Sequence, residues 1–151
     1  MINKPLSKDI LMNQIKLKHL DIIKDNETLY NRLYHIINEN NRVLEMKDYL
    51  EKGELRNIGK LLNQSHYSLS KYYNVSCEEI ETIIEISEKQ SGFYGGRIMG
   101  GGFGGCTINL IDECQKDKFI ENVKSLFFDK YSYELKADFV NFSNGLNINK
   151  I

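Results

Sequence analysis

Between Gly95 and Thr107 the chain reads Gly-Gly-Arg-Ile-Met-Gly-Gly-Gly-Phe-Gly-Gly-Cys-Thr. Seven of these thirteen positions are glycine, in a chain with 11 glycines among 151 residues. Ordering a glycine costs more backbone entropy than ordering any other residue. A concentration like this marks a place where the backbone takes left-handed angles or meets a neighbour with no Cβ between them. Consecutive N–H groups in such a turn can converge on an anion. Ile108-Asn109-Leu110-Ile111 follows at once, so the glycines lead into a strand and are not a flexible linker.

The run is not a Walker A loop, because no Gly-Lys-Ser/Thr ends it. Gly100, Gly102 and Gly105 satisfy G-x-G-x-x-G, but a dinucleotide site needs a helix directly after the glycines. The residues after Gly105 alternate as a strand, which excludes that fold. Two readings stay open on spacing alone: a tight strand-to-strand connection in which glycine permits close packing, or a loop that faces a ligand.

Around this run the chain organises as one domain over 1–151. Residues 1–27 form a lead-in, with a helix expected over Ser7–Lys24. Residues 28–91 carry helical periodicity. Leu29, Leu33, Ile36, Ile37, Val43, Leu44 and Leu50 make one apolar stripe, stopped at Gly53. Leu55, Ile58, Leu62, Ser65, Leu69 and Tyr72 make a second, ending near Asn74. Ser76 with Glu79 reads as a capping box for a third helix, whose buried face is Ile80, Ile83, Ile84 and Ser87 and whose end is Ser91-Gly92. Residues 92–151 read β-β-α-β-β. Strands over Phe93–Ile98 and Cys106–Ile111 flank the glycine loop 95–105. Asp112 with Gln115 caps a helix with Phe119, Ile120, Val123, Leu126 and Phe127 on one face. Tyr133, Leu135, Ala137 and Phe139 alternate as a strand, Asn144-Gly145 signals a hairpin turn, and Leu146–Ile148 forms a last strand. The expected class is α+β, with helices packed on a small antiparallel sheet.

Four segments, in order, resemble one known family. Arg97-Ile98-Met99-Gly100-Gly101-Gly102-Phe103-Gly104-Gly105-Cys106 resembles the third signature motif of the GHMP sugar kinases in its galactokinase form. Arg32–Val43, Leu62–Leu69 and Tyr73–Cys77 resemble galactokinase segments that precede it, and the likeness runs from about Thr28 to Gly145. The resemblance implies a ferredoxin-like C-terminal domain with added N-terminal helices. It also implies a kinase that uses ATP and Mg²⁺ to phosphorylate galactose to galactose 1-phosphate. In that family the phosphate-binding loop, the galactose contacts, the catalytic Asp and its neighbouring Arg lie in an N-terminal domain. No Pro-x-x-x-Gly-Leu-Gly-Ser-Ser stretch occurs here. The chain is therefore expected to be the cleft-closing half of such an enzyme, partnered by an N-terminal galactokinase domain and inactive alone. Met99 stands where the family often has Thr, which removes a hydroxyl from the loop.

The resemblance implies that Gly100, Gly101, Gly102, Phe103, Gly104 and Gly105 lie near the transferred phosphoryl group. Arg97, three residues earlier, reads either as a partner for phosphate or a carboxylate across the domain junction, or as a solvated strand-end charge. Ser65 interrupts an apolar stripe and His66 sits beside it. The pair reads either as cleft-lining contacts or as a hydroxyl bonded to its own helix next to a satisfied core imidazole. His35 and His19 read as structural or exposed, and Cys106 as a core residue. Tyr67, Tyr72 and Tyr73 read as packing about a helix end, and Glu78-Glu79 as helix-start charge. No catalytic residue and no metal ligand is placed in this chain.

Composition narrows the function classes. Twenty Lys and Arg balance 21 Asp and Glu, which gives no electrostatic case for nucleic acid or a membrane surface. No apolar stretch approaches the ~20 residues of a membrane span. Cys77, Cys106 and Cys114 form neither a disulfide framework nor a zinc pattern, so a reducing cytoplasm is expected. Two alternatives stay open beside galactokinase: a kinase for another small sugar such as N-acetylgalactosamine, and a non-catalytic regulatory or binding module derived from the family.

Overall fold

The computed structural model describes residues 26–140. The expected helix over 7–24, the turn at Asn144-Gly145 and the strand over 146–148 lie outside them. Helix α1 spans Glu27–Lys52. Asn26 caps it, its side-chain oxygen accepting the Leu29 N–H at 2.9 Å. Gly53 ends it in a left-handed conformation, its N–H bonded to Leu50 O. Twenty-six residues make a rod of about 39 Å, yet its buried residues are His35 and Ile37 alone. Ile36, Val43, Leu44 and Leu50 are exposed. The periodic stripe is real, but among the described residues only the middle of the rod has a partner.

That partner is α2, Leu55–Ser68, with Ile58, Gly59, Leu61, Ser65, His66 and Ser68 buried. The helix does not stop at Ser68. Leu69–Tyr73 continue it as a π-helical turn, which closes at Asn74 in the left-handed region with φ 59°. Asparagine tolerates that region better than most residues.

Helix α3, Glu78–Glu88, buries Ile80, Ile83, Ile84 and Ser87, the stripe read from the sequence. The expected capping box is not formed. Cys77 occupies the cap position, one residue later than Ser76, whose hydroxyl is buried without a partner. Glu78, Glu79 and Glu81 in the first turn offset the helix dipole instead.

Strands β1, Phe93–Met99, and β2, Cys106–Ile111, pair antiparallel with Ile98 opposite Thr107 and Gly96 opposite Asn109. Helix α2 lies against β1, and α3 contacts both strands. The α2–β1 contact is backbone to backbone. A Cβ on Gly59 would run into the Tyr94 carbonyl, and one on Gly95 into the Gly59 carbonyl. After β2, Asp112 Oδ1 accepts the Cys114 N–H at 2.8 Å and opens a short 3₁₀ turn, Glu113–Gln115. Helix α4, Lys116–Tyr131, follows and packs on α3. Phe119, Val123 and Phe127 recur every four residues and are all buried, and Phe93 and Phe119 stack at 6.0 Å.

Residues 132–140 differ from expectation. Tyr133, Leu135, Ala137 and Phe139 alternate, but the segment carries no strand. Alternation specifies two faces; a strand also needs a sheet edge to pair with. Tyr133 instead sets its ring edge-on to Phe127 at 5.3 Å. The described fold is α+β, helices packed on a two-stranded antiparallel sheet.

Candidate functional site

The hairpin between β1 and β2 carries the glycine loop. Gly100, Gly102, Gly104 and Gly105 have φ between 86° and 124°, and Phe103 has φ 56°. A left-handed phenylalanine costs about 1–2 kcal/mol, so something must hold it. Its N–H donates to Val75 O at 2.7 Å. A Cβ on Gly102 would stand 2.5 Å from the same carbonyl. Val75 follows the π-helical turn, so the segment after α2 forms the seat of the loop. Among the described residues, Gly100, Gly101 and Gly104 would meet nothing within 4 Å if given a Cβ. Phe103 leaves 76% of its surface exposed. The loop thus presents bare backbone and one aromatic ring.

Arg97 does not end in solvent. Its Nη1 lies 2.9 Å from Glu39 Oε1, and its Nε donates to Ile98 O at 3.0 Å. Glu39 is the residue that spacing did not single out. Its Oε1 also accepts the Ser65 hydroxyl at 2.6 Å, and its Oε2 accepts Arg42 Nε at 2.8 Å. Burial works to raise the Glu39 pKa. The hydrogen bonds from Ser65 and Arg42 and the charges of Arg42 and Arg97 outweigh it and hold the carboxyl below its usual value. The only local signal was the Glu39-to-Arg42 spacing of three on α1; Ser65 and Arg97 lie 26 and 58 residues further along.

His66 meets the neighbouring backbone. Its Nδ1 accepts the Ile98 N–H at 3.3 Å, which leaves the proton on Nε2, 3.3 Å from Glu81 Oε1. The distance suits an ion pair, but the angle does not make a hydrogen bond. Burial lowers the His66 pKa, against the opposing pull of Glu81, so the ring is neutral at pH 7. His35 is likewise lowered by burial and meets Ser68 Oγ at 2.9 Å.

The structure therefore brings Ser65, His66 and Arg97 to one end of β1, immediately before the loop. Ser65 and His66 are buried, and the partner of Ser65 is Glu39 on α1, not the preceding turn. Cys106, read as core, is exposed. It pairs with exposed Met99 where the hairpin extends past its covering helices. Tyr34, Tyr67 and Tyr72 cluster at the end of α2, with centroids 4.7 and 6.1 Å apart.

Backbone N–H groups on an open, Cβ-free loop suit phosphate oxygens. The loop carries no carboxylate to hold Mg²⁺. Among the described residues no group of three or more His, Cys, Asp or Glu is placed to bind a metal, and no helix is long and apolar enough to cross a membrane.

Residues 46–129 match the family described as GHMP kinases C terminal. A galactokinase of Clostridium acetobutylicum is 38% identical over 138 residues, 91% of this chain and 32% of that protein. One of Clostridium beijerinckii is 40% identical over 114 residues, 76% of this chain and 29% of that protein. The chain spans about a third of the length of these relatives. The crystal structure of Lactococcus lactis galactokinase complexed with galactose superposes with TM-score 0.73 at 33% identity, covering 85% of this chain and 32% of that one. The crystal structure of L. major mevalonate kinase in complex with R-mevalonate shares the fold at TM-score 0.57 and 24% identity, covering 81% of this chain and 35% of that one. The chain belongs to the GHMP kinases, and the part of the family it represents is their C-terminal domain.

Proposed function

We propose that this chain is the C-terminal, cleft-closing domain of a galactokinase. It acts with an N-terminal domain in the cytoplasm to transfer the γ-phosphoryl group of ATP to the anomeric hydroxyl of galactose. The observation that carries this reading is Gly101. Among the described residues it has neither a left-handed φ nor a neighbour within 4 Å, so the described part of the fold gives no reason for glycine there. A reactant approaching the loop from outside does.

Phosphoryl transfer depends on positioning and electrostatic stabilisation more than on covalent help from the protein. ATP with Mg²⁺ would supply the transferred group and the charge that neutralises it, bound by the N-terminal domain. This chain would supply the backbone of residues 100–105, set close against the phosphate. Met99 brings no hydroxyl, so the contacts at that end are backbone contacts. Ser65 and His66 act from beneath β1, since both are buried. The sugar contacts and the base belong to the N-terminal domain, and the chain by itself is inactive.

The test is ATP consumption with galactose and Mg²⁺, measured on the chain alone and after mixing with a separately expressed N-terminal galactokinase domain. Activity in the mixture alone is expected. Galactose phosphorylation by the chain alone refutes the division of labour. A folded, associating pair with no galactose turnover refutes the substrate.

A further inference from the structure

We propose that Glu39 is a positioning residue for the glycine loop. The proposal deepens the kinase reading and rests on it for its catalytic consequence. The loop does little to hold itself. Five of its six residues have left-handed φ, and a Cβ on three of its glycines would touch nothing among the described residues. Its order must come from its stems and its seat. The seat is Val75 O beneath Phe103. The second stem is the pairing of Cys106 with Met99. The first stem, Arg97-Ile98, is held from the side by two contacts: Ile98 N–H to His66, and Arg97 to Glu39.

Of these two, the Glu39 contact is the one that reaches outside the α2–β1 seam. Among the described residues, Arg97–Glu39 is the ion pair that ties α1 to the sheet. The carboxylate is itself fixed. Ser65 on α2 and Arg42 on α1 occupy it from two sides, so it offers Arg97 one place rather than a range. Arg97 is fixed in turn, because its Nε binds the carbonyl of the next residue and lays the guanidinium along the strand. Charge-assisted hydrogen bonds of this kind are stronger and more directional than neutral ones. The arrangement locates Arg97 on the strand three residues before Gly100, where a small rotation displaces the whole loop.

The test is hydrogen exchange of the Phe103 amide, resolved by NMR in the full 151-residue chain. Glu39→Gln keeps an acceptor for Ser65 but removes the charge that holds Arg97. Phe103 protection is expected to fall about tenfold, while the Ile83 and Ile84 amides of α3 keep theirs. Arg97→Gln should reproduce the loss. Arg97→Lys, which restores a cation, should recover most of it. In the chain mixed with the N-terminal domain, Glu39→Gln should lower kcat by a similar factor and leave the KM for galactose unchanged. Unchanged Phe103 exchange, or α3 amides that lose protection in step with it, overturns the proposal. No turnover by the unmutated mixture overturns the kinase reading alone, because the exchange experiment still decides whether Glu39 sets the loop.

Discussion

Gly101 and Gly102 are neighbours with opposite reasons for being glycine, and their substitution separates fold from function. A Cβ on Gly101 meets open space among the described residues, and its φ is already one that other residues adopt. Gly101→Ala should therefore stabilise the chain by roughly 0.4–1 kcal/mol, by restricting the unfolded state. That corresponds to a rise of about 1–4 °C in Tm. Gly101→Val should leave Tm within a few degrees of the parent. Gly102 has φ 86°, and its Cβ would stand 2.5 Å from the carbonyl that receives the Phe103 N–H. The left-handed conformation alone costs about 1–2 kcal/mol. The displaced seat adds to it, so Gly102→Ala should lose on the order of 3 kcal/mol. Circular dichroism melts of the chain read the stability. Turnover in the mixture with an N-terminal galactokinase domain reads the chemistry, where Gly101→Val should cost about 100-fold, the effect of displacing a reactant by about 1 Å. If Gly101→Val melts as low as Gly102→Ala, the loop is a packing device. If it melts normally and turns over normally, nothing approaches the loop at Gly101. Either result refutes the argument.

Three further outcomes are expected. Ser87 is fully buried with no partner for its hydroxyl, so Ser87→Ala should raise stability by about 1 kcal/mol in urea titration; a loss of that size would reveal a hidden partner. Gly59→Ala places a methyl against the Tyr94 carbonyl and should destabilise by about 3 kcal/mol or more, or prevent folding, as read from expression and melting; a normal melt would mean the α2–β1 seam is looser than drawn. Stability should fall on acidification. His35 and His66 have folded pKa values below 6.5, so the unfolded chain binds more protons between those values and 6.5, and stability rises with pH through that window. Glu39, held below 4.5, adds a loss as pH drops under that value. A midpoint of urea unfolding higher at pH 5 than at pH 7.5 would contradict the sign.

Elements whose signal is local were legible in the sequence. Ile80, Ile83, Ile84 and Ser87 fix the buried face of α3, and Gly53 marks the end of α1. The two strands around the glycines lie where β-rich runs meet a glycine turn. What escaped depends on partners far away in the chain. Val43 and Leu50 keep helical spacing on a rod longer than its neighbour, and spacing does not report where the neighbour ends. Tyr133 to Phe139 alternate, but among the described residues they pair with no strand. Cys106 follows the strand alternation, but at the row where the hairpin outruns its cover. Glu39 was one carboxylate among 21 acidic residues; only folding brings Ser65 and Arg97 to it. The motif at 97–106 located the loop, while the reasons for its individual glycines came from the space around each.

The π-helical turn at Leu69–Tyr73 makes chain length, more than residue identity, the sensitive quantity in this part of the molecule. An α-helix rotates about 100° per residue. A π turn absorbs one residue without completing a further α turn, so everything after it is out of phase with α2 by one step. Val75 presents its carbonyl to Phe103 on that shifted phase. Removing one residue between 69 and 73 would restore an ordinary helix and aim a different carbonyl at the loop, with every motif residue intact. Substitutions there leave that phase unchanged; a single insertion or deletion shifts it.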